Sequence, residues 1–328
     1  MARARRAVGP TRGQAIEIPL TGLHAQGYFR KHMSLFQSIR FIANHPINRD
    51  QKLASIARFA RWQIGSRLVP GKVVYEWING CKFIVGRSET GLTGNIYTGL
   101  HEFSDMGFLL HVLRPEDTFV DIGANVGSYT LLASAAVGAT TFAYEPIPGT
   151  FNKLLDNVRL NRIEHRVQAF NIGLAQQEGS IRFTSDLNTV NHAVAQGEPS
   201  AGSIEVQVRT LDDTLAGQGA HIIKIDVEGY ETLVLAGALE TIRNPALHAV
   251  IMELNGSGNR YGFDESKLLA TLLDAGFKTF SYNPLARQLK SLEGKNLHEG
   301  NTLFIRDEAW VQARLAAAPA FDVLGVRV

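Results

Sequence analysis

The sequence predicts an α/β chain: a doubly wound, mostly parallel sheet preceded by a helical and hairpin extension. Three observations predict it. From about residue 100, short apolar strand-like runs alternate with segments of helical periodicity, and such alternation builds a parallel sheet covered on both faces. A glycine loop follows the first run, where open α/β sheets bind nucleotide-like ligands. The last runs, FKTFSY and NTLFIR, leave little room for crossovers, which predicts an antiparallel edge.

The 328 residues are 45% apolar and 20% charged, enough to bury a sizeable core and too apolar for a mainly disordered chain. No apolar run approaches the ~18 residues of a spanning helix. The basic start MARARRAVGPTRGQ leads into no apolar stretch of a secretory signal. The single Cys81 excludes an intramolecular disulfide framework and a multi-cysteine metal site. A cytoplasmic protein is the default expectation. The formal net charge of +2 conceals an asymmetry: residues 1–70 hold 12 Lys/Arg against Glu17 and Asp50. The rest carries an acidic excess, so a basic leader precedes an acidic body, a pattern that raises nucleic acid or anionic membranes as partners.

Residues 1–45 lack sustained periodicity and read as a loosely ordered basic leader. Asn48 or Asp50 then starts a helix in which Leu53, Ile56, Ala60, Ile64 and Leu68 recur at helical spacing. Lys52, Arg58, Arg61 and Arg67 take other positions. The reading preferred is a helix packed on the body with a solvated basic face; peripheral membrane contact stays open. VVYEWI and KFIVG flank Asn79-Gly80, a strong hairpin signal. Residues 46–95 thus form an extension of helix and hairpin. In the body, TFVDI, TFAYE, VQAFNI, IIKID and AVIMEL are the parallel strands. Helices are predicted over 126–137, 150–161, 230–242 and 266–275. A detour containing IRF and IEVQVRTL interrupts the alternation. A short strand over 288–292 lies between the two late runs, and residues 311–328 read as a tail.

The chemistry concentrates at strand ends. Asp121-Ile122-Gly123-Ala124-Asn125-Val126-Gly127 joins the first strand to an apolar helix. Its glycines allow a tight turn and close backbone approach to a ligand. The central glycine of a dinucleotide fingerprint is Asn125 here. Asp121 would repel a pyrophosphate, whereas an amino group and a sulfonium centre would welcome it; S-adenosylmethionine (SAM) carries both. Glu145 ends the second strand, where an acid hydrogen-bonds ribose hydroxyls, and Pro146 follows. Lys224, Asp226 and Glu228 alternate within IIKIDVEG, so a strand puts them on one face. Charges in a central strand cost energy unless paired or opening into a cleft. They are either site-lining or an internal ion-pair network. Glu253 and Asn255 end the next strand. The lone lysine argues against a dedicated metal site. His101 and Glu102 are candidates to fold over the glycine loop, and His192 in the detour is a candidate base.

VDIGANVGSYT, FAYEP, TLDDTL and IIKIDVEGYE, with GLHE and AVIMEL around them, resemble the FkbM family of SAM-dependent methyltransferases. The resemblance covers about residues 95–306 and makes 96–310 the methyltransferase domain. It implies a class I methyltransferase fold, a Rossmann-like seven-stranded sheet whose last strand is antiparallel. It also implies O-methylation of a sugar, glycan or secondary metabolite hydroxyl. Asp121, Gly123, Ala124, Asn125 and Gly127 match the loop around the methionine part, and Glu145 with Pro146 the ribose end. Asn171 matches the adenine contact, while Glu102 and Asp226 complete the cofactor set. Lys224, Asp226 and Glu228 are the catalytic candidates. Two rivals remain: an NAD(P)-dependent oxidoreductase, and an RNA- or membrane-binding protein acting through the leader. The first lacks its glycine and a Tyr-x-x-x-Lys pair. A nucleic acid methyltransferase finds no Asn/Asp-Pro-Pro-aromatic motif, and no nucleic acid partner is expected.

Overall fold

The computed structural model describes residues 34–69, 71–86, 90–184, 192–194, 202–297 and 300–328. The chain enters through helix α1 (Leu35–Asn44), started by a capping box in which Ser34 Oγ accepts from the Gln37 N–H while the Gln37 side chain accepts from the Ser34 N–H. This end of the expected loose leader is therefore ordered; Ser34-x-x-Gln37 is the local signal. Residues 1–33 lie outside the described residues. Helix α2 (Lys52–Leu68) follows, with Gln51 rather than Asn48 or Asp50 as its cap residue. Asn48 is instead buried: its Nδ2 donates to Ile42 O at 2.9 Å and Tyr97 O at 3.0 Å. The apolar stripe of α2 does not pack on the body either. Phe59 meets the Tyr97 ring and Trp62 the core, while Leu53 and Leu68 point to solvent.

The hairpin pairs β1 (Val73–Glu76) with β2 (Lys82–Val85), Glu76 opposite Lys82. The connection runs from Trp77 to Cys81, longer than two residues. Asn79 (φ 52°) and Gly80 (φ 78°) both adopt the left-handed conformation that Asn-Gly favours. Helices α3 (Thr90–Thr98) and α4 (Phe103–Val112) lead into the sheet.

Four strands, β3 (Thr118–Ile122), β4 (Thr140–Tyr144), β5 (Val167–Phe170) and, after a detour, β9 (Ile222–Ile225), are parallel. Between β5 and β9, β6 (Gly173–Leu174), β7 (Gly179–Thr184) and β8 (Ser203–Arg209) make a separate three-stranded sheet. Strand β10 (Ala249–Glu253) is parallel to β9; β11 (Lys278–Asn283), β12 (Gln288–Ser291) and β13 (Asn301–Ile305) complete the sheet. The order is β12-β11-β13-β10-β9-β3-β4-β5, with β13 antiparallel to both neighbours. This is the expected doubly wound sheet. It has eight strands rather than seven, because β12 folds back on β11 as an added edge.

The first body helix begins at α5 (Ser128–Leu131) and widens to a π turn over Leu132–Val137. It is followed by α6 (Pro148–Asn161) and the short α7 (Leu211–Leu215). The helix expected over 230–242 is two, α8 (Glu231–Ala236) and α9 (Leu239–Arg243), because Gly237 abuts backbone: a Cβ there would lie 2.0 Å from Ala175 O. Helix α10 (Glu265–Asp274) precedes β11. The expected C-terminal tail is part of the core. Helix α11 (Glu308–Ala316) buries Val311 and Leu315, and Phe321, Val323 and Val328 join the same apolar cluster. Arg314 bridges to Asp117 beside β3 and stacks on Trp310. Among the described residues no helix is long and apolar enough to cross a membrane.

Candidate active site

The chain order of strands reverses between β3 and β9, each of which leads away to opposite sides of the sheet. Open α/β sheets bind their ligands outside the carboxyl ends of the strands at such a point. Phe119, Ile222, Ile251 and Leu303 pack into the core on one face, and side chains alternate along a strand. Asp121 sits level with Lys224 in the β3–β9 pairing, and Glu253 opposite Asn301 in β10–β13. By parity these four polar residues belong to the same face. They form a row across four adjacent strands, one step beyond the apolar core layer.

The row is internally paired. Lys224, 2% exposed, donates from Nζ to Asp226 Oδ2 at 2.8 Å and lies 4.6 Å from the centre of the Tyr129 ring. Burial alone would lower the Lys224 ammonium, but Asp226, Glu102 and Asp121 outweigh it and raise it, so it stays charged. Tyr129 donates its hydroxyl to Glu102 at 2.5 Å. On α4, Asp105 accepts from Asn301 Nδ2 at 3.0 Å, and burial together with Glu102 pushes its carboxyl up to about 8. Asp121 accepts from Thr130 Oγ1 at 2.7 Å; burial raises it while Lys224 and Thr130 pull it back. One oxygen each of Asp105, Asp121 and Asn301 is buried without a hydrogen-bond partner. Buried polar atoms in native structures normally have partners, so these three are candidates for contact with a ligand.

The loop after β3 spends its amides on its own chain. Gly123 and Ala124 both donate to Tyr144 O, Val126 to Asn125 Oδ1, and Gly127 to Ala124 O. The Asn125 N–H donates to Glu145 Oε2 at 3.0 Å, while Glu145 Oε1 accepts from Ile147 at 2.9 Å. Burial pushes Glu145 up to about 7 against these bonds. Gly123 is required chiefly by the neighbouring strand end: at φ 77°, a Cβ would sit 1.9 Å from Asp226 O. Asn171, matched above to the adenine contact, follows β5, and its Nδ2 donates to Glu145 O and Pro146 O, so it braces the turn after β4.

Not every sequence candidate joins the row. Glu228 is not on a strand face: β9 ends at Ile225, and Glu228 turns left-handed at φ 53°. The turn is clasped by Glu231, which accepts from Val227 and Gly229 and whose carboxyl burial pushes up to about 8. His101 lies against Gly94 and the Phe41 ring, leaving Glu102 as the member of that pair that reaches the α5 helix. His192 is buried and paired by its backbone to Thr184 at the end of β7. Asn255 is exposed and caps the Ser257 N–H. Sequence reading missed Asp105, Tyr129, Thr130 and Asn301. The acidic Asp105 inside FSDMGFLLHV, a mostly apolar helix, was the available signal.

Residues 121–279 match the methyltransferase FkbM domain. Among known proteins, the chain is 27% identical over 176 residues to the hexuronic acid methyltransferase AglP of Haloferax volcanii, covering 52% of this chain and 67% of that one. It is 28% identical over 232 residues to the 31-O-demethyl-FK506 methyltransferase FkbM of Streptomyces tacrolimicus, covering 60% and 85%. Among solved structures, a methyltransferase FkbM from Methylobacillus flagellatus aligns at 16% identity with a TM-score of 0.42, over 65% of this chain and 52% of that one.

Proposed function

We propose that this chain is a methyltransferase that uses SAM to methylate a hydroxyl on a sugar, glycan or secondary metabolite, a reading supported by the match of residues 121–279 to the methyltransferase FkbM domain. The observation that carries the cofactor is the lining of the crevice. Its glycine loop offers no spare amide from Gly123 to Gly127, and its open acceptor is the buried Asp121 Oδ1. An anionic pyrophosphate wants the reverse, free N–H groups and no acid. An amino group on a cationic ligand fits what is there. Glu145 lies one strand away, with lone pairs left for ribose hydroxyls after its two amide bonds. Asn171, Pro146, Ala124 and Asn125 shape the turn between the two acids, and Glu102 closes the crevice through Tyr129.

SAM supplies an activated methyl group on a sulfonium. The chain's own task is to place an acceptor oxygen in line with it and take up the hydroxyl proton. Asp226 is the proposed proton acceptor: its side chain is part-exposed at the crevice rim, beside the buried Lys224. Lys224 is held protonated, so it serves as a fixed positive charge that steadies the developing alkoxide and orients Asp226. Glu228 is displaced from this pair by its turn and is assigned to acceptor contact. The hydroxyl acceptor class is supported by the names of the two relatives, one a hexuronic acid methyltransferase and one named for a 31-O position.

Calorimetric titration of the purified chain tests the cofactor. SAM is expected to bind and NAD not to. Asp121→Asn keeps the Thr130 bond but removes the charge, and is expected to weaken SAM about 10- to 100-fold, the range of a charge-assisted hydrogen bond. NAD binding without SAM binding overturns the proposal, and unchanged affinity in the variant removes Asp121 from the site.

A further inference from the structure

Eleven large apolar side chains are exposed among the described residues, and eight of them fall within residues 35–69. Helix α2 is apolar on two sides. One side meets the body through buried Ser55, through Phe59 against Tyr97, and through Trp62. At about 100° per residue, Leu53, Ile56, Ile64 and Leu68 fall on the other side. Leu53 is 85% exposed, Ile64 60% and Leu68 75%. An exposed aliphatic stripe of this size on a helix normally marks a face that meets another surface. Here the covering surface on the outer side is not part of the described chain. Leu35 and Phe36, at the start of the adjoining α1, extend the exposed apolar area.

Charge selects the occupant. Exposed Lys52 and Arg61 border the stripe and exposed Arg67 lies within it, and residues 34–69 hold six Lys/Arg against the single acid Asp50. A second copy seated on this face would set cation against cation. A nucleic acid would use the cations but leave the aliphatic stripe wet, because nucleic acid surfaces work through charge and stacking rings. An anionic lipid surface satisfies both features at once. We propose that the outward face of α2, with the start of α1, docks on an anionic phospholipid membrane surface. Leu53, Ile56, Ile64 and Leu68 enter the boundary between headgroups and acyl chains, and Lys52, Arg61 and Arg67 meet headgroup phosphates. The docked face is fixed to the body. Arg58 Nη2 donates to Asn48 Oδ1 at 2.7 Å and to Tyr97 O at 3.2 Å, and α3, which carries Tyr97, runs into the Glu102 segment. Docking would therefore set the orientation of the crevice relative to the membrane.

Flotation of the full chain with vesicles tests this. Phosphatidylcholine vesicles containing phosphatidylglycerol are expected to bind it, pure phosphatidylcholine vesicles not, and added salt to weaken the binding. Leu53→Ser/Ile64→Ser/Leu68→Ser is expected to weaken vesicle binding by about tenfold or more, with circular dichroism and SAM titration unchanged. Failure of the wild-type chain to bind anionic vesicles overturns the proposal, as does undiminished binding by the triple variant. A homodimer or an RNA complex that this variant abolishes, in place of vesicle binding, also overturns it.

Discussion

Two regions of this chain invert the usual partition of residues, in opposite directions. Along the row at the central strands, Asp121 and Lys224, with Asp105 reaching it from α4, are charge-bearing side chains taken out of water. On the outward face of α2, leucine and isoleucine are left in it. The difference lies in how each inversion is compensated. The buried charges are compensated from within: Lys224 is neutralised by Asp226 and its carboxylate neighbours, Asp121 is bonded to Thr130, and Asp105 leans toward its neutral form. The exposed stripe has no compensation inside the described chain, only cations in and beside it. The first pattern is what the proposed ligand site requires, and the second what the proposed docking face requires.

The largest expected effect breaks the buried side of this comparison. Lys224→Met removes one partner of an ion pair whose lysine is almost fully buried, leaving acids without their cation. It should cost about 3–5 kcal/mol in urea unfolding and abolish methyl transfer. A loss below ~1 kcal/mol would mean the row is solvated after all.

A second, smaller effect sharpens it through pH. Burial raises Asp105 and Glu231 to about 8, above their unfolded values. The unfolded chain therefore ionises first, and stability falls as pH rises from the ordinary carboxylate range towards about 8. Glu231→Gln can still accept from Val227 and Gly229, and should flatten that decline, gaining on the order of 1 kcal/mol at pH 8 over wild type. Thermal unfolding across pH reads this directly; parallel curves for variant and wild type would show that Glu231 ionises as freely folded as unfolded.

The smallest effect belongs to the other region. Each serine substitution at Leu53, Ile64 or Leu68 should change folding stability by no more than ~0.5 kcal/mol, as at other exposed sites. A large loss would place these side chains inside a packed interface of the chain itself.

The body was largely legible in the sequence because each parallel strand announces itself locally. TFVDI, IIKID and AVIMEL are short apolar runs bounded by polar residues and turns, a pattern that few other local structures explain. The same locality exposed Asp121, Glu145, Lys224 and Asp226, since charges ending apolar strands stand out. Legibility failed where contacts were distant. The Lys224-Asp226-Glu228 alternation looked like a strand face, but the left-handed turn at Glu228 ends it, required by packing of Gly229 against the Ser257 backbone. Helix 230–242 breaks where Gly237 meets Ala175, and α11 with residues 321–328 looked like a tail because its partners, Asp117 and α4, lie some 200 residues earlier.

The sequence by itself determined the alternating architecture, the acidic nature of the crevice and the basic character of the entry segment, because periodicity, strand-end charge and composition are local properties. Only the tertiary structure decided that Asp105 and Asn301 complete the charged row, that the glycine loop's amides are all spent internally, that an eighth strand is added at the edge, and that α2 turns its aliphatic stripe outward. An amphipathic pattern names two faces of a helix. Which of them is buried depends on what the rest of the chain brings against it, and here Tyr97 and the core took the side bearing Phe59 and Trp62.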